Sequence, residues 1–180
     1  NYDALVDFLS IINDGKGLDI GARHITVSTC GIVPKIDAFA DLPMQVNLAI
    51  SLHFADNKKR NRYMPINRVY PIEALMDSLK RYFDKTHRRI TFEYILMDGV
   101  NDSLEDARAL IQLVKGLNCY INLIPMNQTV NNLSKSKKDV MNQFYQTLAK
   151  ANITVTLRKE LGSDIDAACG QLRLKKERSE

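Results

Sequence analysis

The sequence predicts an α/β fold: a curved, incompletely closed (βα) barrel with about five parallel strands. Three observations predict it. Strand-like and helix-like runs alternate along the chain, the helical runs carry start and stop signals, and each strand has one apolar and one polar face.

The chain opens at Asn1 directly into a helical pattern over 3–13, with Leu5, Phe8, Leu9 and Ile12 on one face. That opening, without an initiator methionine or a preceding strand, reads as the middle and end of a longer protein. β-rich runs follow at 24–30, 46–53, 90–96, 120–124 and 153–158. Further helical patterns occupy 72–83, 104–115 and 137–150. Pro71 suits a first helical position, Ser103 with Asp106 resembles a capping box, and Gly116 stands where a helix cap would sit.

The strand faces carry more information. Side chains alternate along a strand, so Val46, Leu48, Ile50 and Leu52 oppose Asn47, Ala49, Ser51 and His53. Ile25 and Val27 likewise oppose Thr26, Ser28 and Cys30. Phe92 and Tyr94 oppose Thr91 and Glu93, Asn122 lies between Ile121 and Leu123, and Ile153, Val155 and Leu157 oppose Thr154, Thr156 and Arg158. Parallel strands covered on both faces read as continuous apolar runs, and a closed barrel fills its interior with branched apolar side chains. These strands do neither. A polar concave face around a ligand accounts for them; the alternative is a second face against water or another domain.

Composition sets bounds. A chain of 180 residues with 45% hydrophobic and 26% charged residues is long enough to bury one core. Its longest apolar stretch is broken by Asn47, Ser51 and His53, which argues against a membrane span, and no signal-peptide pattern leads it. A cytoplasmic protein is expected. The net charge of +4 permits a phosphate-backbone partner without demanding one. Three scattered cysteines at 30, 119 and 169 lack the pairing of a disulfide framework or a zinc site. Any cysteine that matters does so as a thiol.

Candidate chemistry gathers at strand ends, where βα proteins hold ligands. Ser28 ends the first strand, Ser51-Leu52-His53 the second, and Asn127 follows the fourth. Arg60, Arg62 and the turn from Met64 to Asn67 form a basic loop that could hold a nucleic-acid phosphate. Turn chemistry and helix capping explain Asp98, Gly99, Asn101 and Asp102. The most unusual segment is 162–171, where Asp164 and Asp166 approach Cys169, with Gly170 beside it. A thiol among such small residues is a plausible nucleophile, and a simply packed cysteine is the plainer alternative. Cys30 and Cys119, in or beside apolar strands, read as packing residues.

Six segments in order carry a resemblance: "GARHITVSTCGIVPKI", "LAISLH", "MPIN", "FEYILMDGVND", "INLIPMN" and "GSDIDAACGQLR". Together they resemble the radical S-adenosylmethionine (radical SAM) adenine-methylating RNA methyltransferases, the RlmN and Cfr group. The resemblance implies that 1–173 are the C-terminal part of the radical SAM methyltransferase domain and 174–180 a basic tail. By position, it implies that Ser28, Ser51, Leu52, His53 and Asn127 bind S-adenosylmethionine. It also implies that Cys169 is the catalytic residue that receives a methyl group. The logic is chemical: an electrophilic adenine carbon cannot attack a sulfonium methyl, so the methyl rests first on sulfur. A radical from a second S-adenosylmethionine, cleaved at a [4Fe–4S] cluster, then takes a hydrogen from that methyl, and the carbon radical adds to the ring. A second cysteine helps the adduct fragment.

The implied reaction is methylation of C2 of an adenosine in 23S rRNA, and also of a tRNA adenosine, with an electron donor as a further partner. C8 methylation of the resistance type is the alternative. The cluster motif C-x-x-x-C-x-x-C is absent, so the chain supplies no metal ligand and is expected to be inactive alone; neither Cys30 nor Cys119 takes the second cysteine's role. Rival readings are another radical SAM reaction on a small molecule, or an inactive fragment that binds S-adenosylmethionine, RNA or a protein. Missing first strands would expose a sheet edge, and self-association through it is a further expectation.

Overall fold

A computed structural model describes residues 1–127 and 133–159. The elements run α1 (Tyr2–Asn13), β1 (Thr26–Thr29), α2 (Val33–Phe39), β2 (Asn47–Ser51), α3 (Asn57–Tyr63), α4 (Ile72–Thr86), β3 (Ile90–Leu96), α5 (Leu104–Val114), β4 (Cys119–Pro125), α6 (Lys138–Lys150) and β5 (Thr154–Leu157). All neighbouring strands are parallel, in the spatial order β1-β2-β3-β4-β5. Crossovers between parallel strands are right-handed. When each strand also lies beside its predecessor on the same side, every crossover helix falls on one face of the sheet. The result is an open α/β (βα) barrel of five strands, as the alternation predicts.

The core lies between that helical layer and the apolar strand face. It joins Leu48, Ile50, Phe92, Tyr94, Ile121 and Leu123 of the sheet to Leu9, Leu75, Leu79, Leu110, Phe144 and Leu148 of the helices. β3 alternates without a break: Ile90, Phe92, Tyr94 and Leu96 are buried, while Thr91, Glu93 and Ile95 are half-buried on the concave side. Each fully buried large apolar side chain contributes about 1.5–3 kcal/mol. The edge strands β1 and β5 are more open, and Thr26, Ser28, Thr154 and Thr156 are exposed.

Several boundaries differ from the sequence expectation for local reasons. Residues 22–24 form a 3-10 turn, so β1 starts at Thr26. Pro71 is the cap of α4, preceding its first turn, and the Asn57 side chain accepts from the Ile72 N–H at 3.0 Å. α4 runs on to Thr86, ended by His87 in the left-handed region (φ 53°). α2 and α3 are additional helices of seven residues each. The capping box of α5 is present in full, with Ser103 and Asp106 bonded reciprocally, and Gly116 takes φ +83° just past its end.

Candidate functional site

The carboxyl ends of β1 and β2 meet the middle of β3 at Glu93. The register places Ser51 opposite Glu93, Glu93 opposite Asn122, and Asn122 opposite Thr156. One level of the concave face therefore carries a polar row across four strands. Ser51 Oγ donates to Glu93 Oε2 at 3.0 Å, and Ser28 Oγ donates to the same oxygen at 3.0 Å. Ser28 is two strands away from Glu93, about 10 Å at ordinary strand spacing. Its partner in β2 is Ala49, whose methyl group leaves the carboxylate room to reach β1.

His53 stands where β2 stops. The N–H groups of Leu52 and His53 both donate to Glu93 O, and the Phe54 N–H then turns back to Leu52 O at 2.8 Å. That bond closes a three-residue γ-turn around His53, whose φ is 58°. This is the rarer, strained form of the turn, and strain of this kind gathers at working sites. The bend sends the imidazole over the end of β3, where Nδ1 accepts from the Ile95 N–H at 3.2 Å. A backbone N–H can only donate, so Nε2 carries the ring's hydrogen. Burial lowers the pKa of His53 to about 4, with Glu93 opposing and Arg60 assisting the shift. The ring is a neutral donor at physiological pH.

Asn101 holds this corner in place. Its amide donates to His53 O and Ile95 O at 2.7 Å each, and its carbonyl accepts from the Met97 N–H at 2.8 Å. Gly99, at φ +63°, donates its N–H to the Asp102 carboxylate. The segment is thus turn and cap, as its composition suggests.

Arg60 requires a correction. The sequence places it on a basic loop open to phosphate, but it is fully buried. Its guanidinium donates to Cys30 O at 2.6 Å, Leu52 O at 3.3 Å and Asn67 Oδ1 at 2.8 Å. Three acceptors from separate segments draw it inward, and a buried charge persists only when so satisfied. Asn67 is buried with it, and Lys59 pairs with Asp106. Lys58 and Arg62 stay exposed, Arg62 over the Tyr63 ring at 5.3 Å.

The sequence-predicted ligand residues divide accordingly. Ser28, Ser51 and His53 come together around Glu93. The Leu52 side chain is in the core, with its N–H and C=O already bonded. Asn127 is exposed, two residues beyond β4. Cys169, Asp164, Asp166, Gly170 and the 174–180 tail lie outside the described residues. The sequence places Glu93 only on a polar strand face and Asn101 only in a turn, with no ligand role for either. The signal for Glu93 was a lone carboxylate inside an otherwise uncharged strand.

The amino end of the same polar face differs. Thr26, Asn47, Arg88, Arg89, Thr91 and Tyr120 line a cleft of about 450 Å³. Arg88 Nη2 donates to Asn47 Oδ1 at 2.7 Å, and Arg89 lies over the Tyr120 ring at 5.2 Å. Cys119 begins β4 near this end, and burial pushes its thiol up to about 11 against the pull of Arg89, consistent with packing.

An open parallel barrel with convergent polar groups at its strand ends defines a class, and residues 1–113 match the Radical SAM superfamily. The chain belongs to that superfamily. More particularly, it is 55% identical to "Probable dual-specificity RNA methyltransferase RlmN" of Spiroplasma citri, across 98% of this chain and 51% of that protein. The protein of the same name from Staphylococcus aureus (strain JH9) is 54% identical across the whole chain and 50% of its own length. The chain thus spans about half the length of the curated relatives it matches. A crystal structure of a radical SAM methyltransferase from Sphaerobacter thermophilus superposes with a TM-score of 0.92 at 45% identity, covering 95% of this chain and 50% of that one. A domain of pyruvate-formate lyase-activating enzyme from Bacteroides vulgatus ATCC 8482 (TM-score 0.67, 17% identity, 88% of this chain and 91% of that chain) shares the fold.

The described wall fits an adenosyl ligand. Glu93 and its serines offer acceptors, and His53 carries one ring N–H as a donor. It does not fit an iron–sulfur cluster. Cys30 lies past the carboxyl end of β1 and Cys119 at the amino end of β4, so the two stand at opposite ends of the sheet. Among the described residues no group of three or more His, Cys, Asp or Glu could hold a metal ion. Nor is any described helix long and apolar enough to cross a membrane.

Proposed function

We propose that this chain is part of a radical SAM enzyme that methylates C2 of adenosine in 23S rRNA and in tRNA. The observation that carries this reading is the identity of 54–55% to RNA methyltransferases over nearly the whole chain. The arrangement around Glu93 supports it, because polar groups converge where βα barrels bind ligands.

In this reading Ser28, Ser51, His53 and Asn127 hold S-adenosylmethionine, with Leu52 as the positioning residue between Ser51 and His53. When bound, that molecule supplies the methyl group and, with an iron–sulfur cluster, the radical chemistry. Cys169 acts as the nucleophile: its thiolate sulfur bonds to the methyl carbon as the sulfonium–methyl bond breaks. The cluster ligands belong to another part of the protein, so this chain alone is expected not to turn over. An electron donor completes the partners, and the site of action is the cytoplasm, where ribosomal and transfer RNA are modified. Alone, the chain is expected to self-associate through its β1 edge; a monomer in sedimentation overturns that point.

The test is mass spectrometry of RNA from cells that lack the gene and are complemented with the whole natural protein or its Cys169→Ala variant. The wild type restores 2-methyladenosine and the variant restores none. 8-Methyladenosine in its place would overturn the regiochemistry, and methylation by Cys169→Ala would overturn the mechanism.

A further inference from the structure

We infer that Glu93 is a positioning residue that fixes the hydrogen-bonding sense of the ligand wall, making Ser28 and Ser51 acceptors for a donor group of the bound adenosyl ligand. The inference rests on the proposed S-adenosylmethionine site and adds a residue and a polarity to it.

A serine hydroxyl has one hydrogen and two lone pairs, and it rotates to suit its surroundings. Here the rotation is decided. Both hydroxyls donate to Glu93 Oε2 at 3.0 Å, and a carboxylate can only accept. Each serine has therefore spent its single hydrogen inward and has only lone pairs left for a ligand. Bonds from hydroxyls to an ionised group are about twice as strong as those between neutral groups, so an incoming ligand does not readily reverse them. The second oxygen, Oε1, adds another acceptor and the charge adds its attraction. Glu93 and the two serines together take hydrogen-bond donors and repel acceptors, while the His53 N–H is the donor beside them. S-adenosylmethionine carries suitable donors in its ribose hydroxyls and its α-ammonium group.

The geometry depends on three strands at once. Ser51 is opposite Glu93 in the ladder, Ser28 lies one strand further, and Ala49 between them is small enough to let the carboxylate reach across. Glu93 thus acts through the serines, beyond any contact of its own with the ligand.

Glu93→Gln tests this directly, because the amide keeps the shape and can donate where the carboxylate only accepts. Equilibrium dialysis of S-adenosylmethionine is run on the whole natural protein as wild type, Glu93→Gln, Ser28→Ala/Ser51→Ala and the triple variant, with thermal melts to check folding. The expected results are at least about tenfold weaker binding in Glu93→Gln and a much smaller Glu93→Gln penalty in the double-serine background. That non-additivity is what action through the serines requires and a separate structural role does not produce. 5′-Methylthioadenosine, which keeps the ribose hydroxyls and lacks the ammonium, is the second probe. A parallel loss for it assigns the donors to the ribose, and a loss confined to S-adenosylmethionine assigns them to the ammonium; either supports the inference. Tight binding of both probes by Glu93→Gln overturns the inference alone. A folded wild type that binds neither probe overturns the site and the inference together. Should Glu93→Gln fail to fold, Glu93→Met replaces it with the same outcomes.

Discussion

The two ends of one polar sheet face are built on opposite terms. At the carboxyl end, Glu93, Ser28, Ser51, His53 and Asn101 are bonded to one another or to strand backbone. At the amino end, Arg88 and Arg89 border an open cleft, with Arg88 on Asn47 and Arg89 over Tyr120. One end is anionic and held from several elements; the other is cationic and held by pairs. The difference teaches that a polar strand face does not by itself mark a site. The candidate site is the end at which Glu93, Ser28 and Ser51 hold one another in fixed orientations.

The largest effect expected from breaking this contrast is at Asn101. Asn101→Ala strands the Met97 N–H and the His53 and Ile95 carbonyls, at about 1–3 kcal/mol for each buried group left unpaired. A loss of about 3 kcal/mol or more in urea unfolding is expected. A loss below about 1 kcal/mol would show that the carboxyl end is not held by this side chain.

His53 gives the next largest effect, and it depends on pH. Its folded pKa of about 4 is below the ordinary 6.5, so the unfolded chain takes up the proton first as pH falls. Stability from the neutral ring is fully present above pH 6.5, drains away between 6.5 and 4, and changes no further below 4. A shift of this size corresponds to about 3 kcal/mol. His53→Asn should flatten that part of the pH–stability curve measured by thermal or urea unfolding. An unchanged slope would remove the burial argument.

The smallest effect belongs to the amino end. Arg89→Ala loses a stacking contact worth about 0.5–1 kcal/mol at an exposed site and should leave S-adenosylmethionine affinity unchanged. A tenfold loss of affinity would move the ligand to the wrong end of the barrel and reverse the comparison.

Much of this was legible in the sequence because it rests on period. Ile90, Phe92, Tyr94 and Leu96 are buried at alternate positions, and strict alternation announces a strand with one covered face. Strand ends then pointed to Ser28, Ser51 and His53. α2 escaped notice because seven residues make only two turns, with Pro34 in the first, too short for a helical period to stand out. Arg60 was misread because a run of cations is usually solvated; its burial depends on acceptors at 30, 52 and 67, which only the fold brings together. Glu93 is hidden for a similar reason, since its bonds to Ser28 and Ser51 follow from register across three strands.

The Arg60 crossbar also has a consequence for how this protein can change over time. Two of its three acceptors are backbone carbonyls, which every amino acid supplies. Positions 30 and 52 can therefore exchange side chains without breaking it, whereas positions 60 and 67 are joined through their side chains and must drift together. Sequence variation among relatives should record that difference as a linked pair in the helix and turn, without such a link to the strand exits, where Leu52 is held by the core instead.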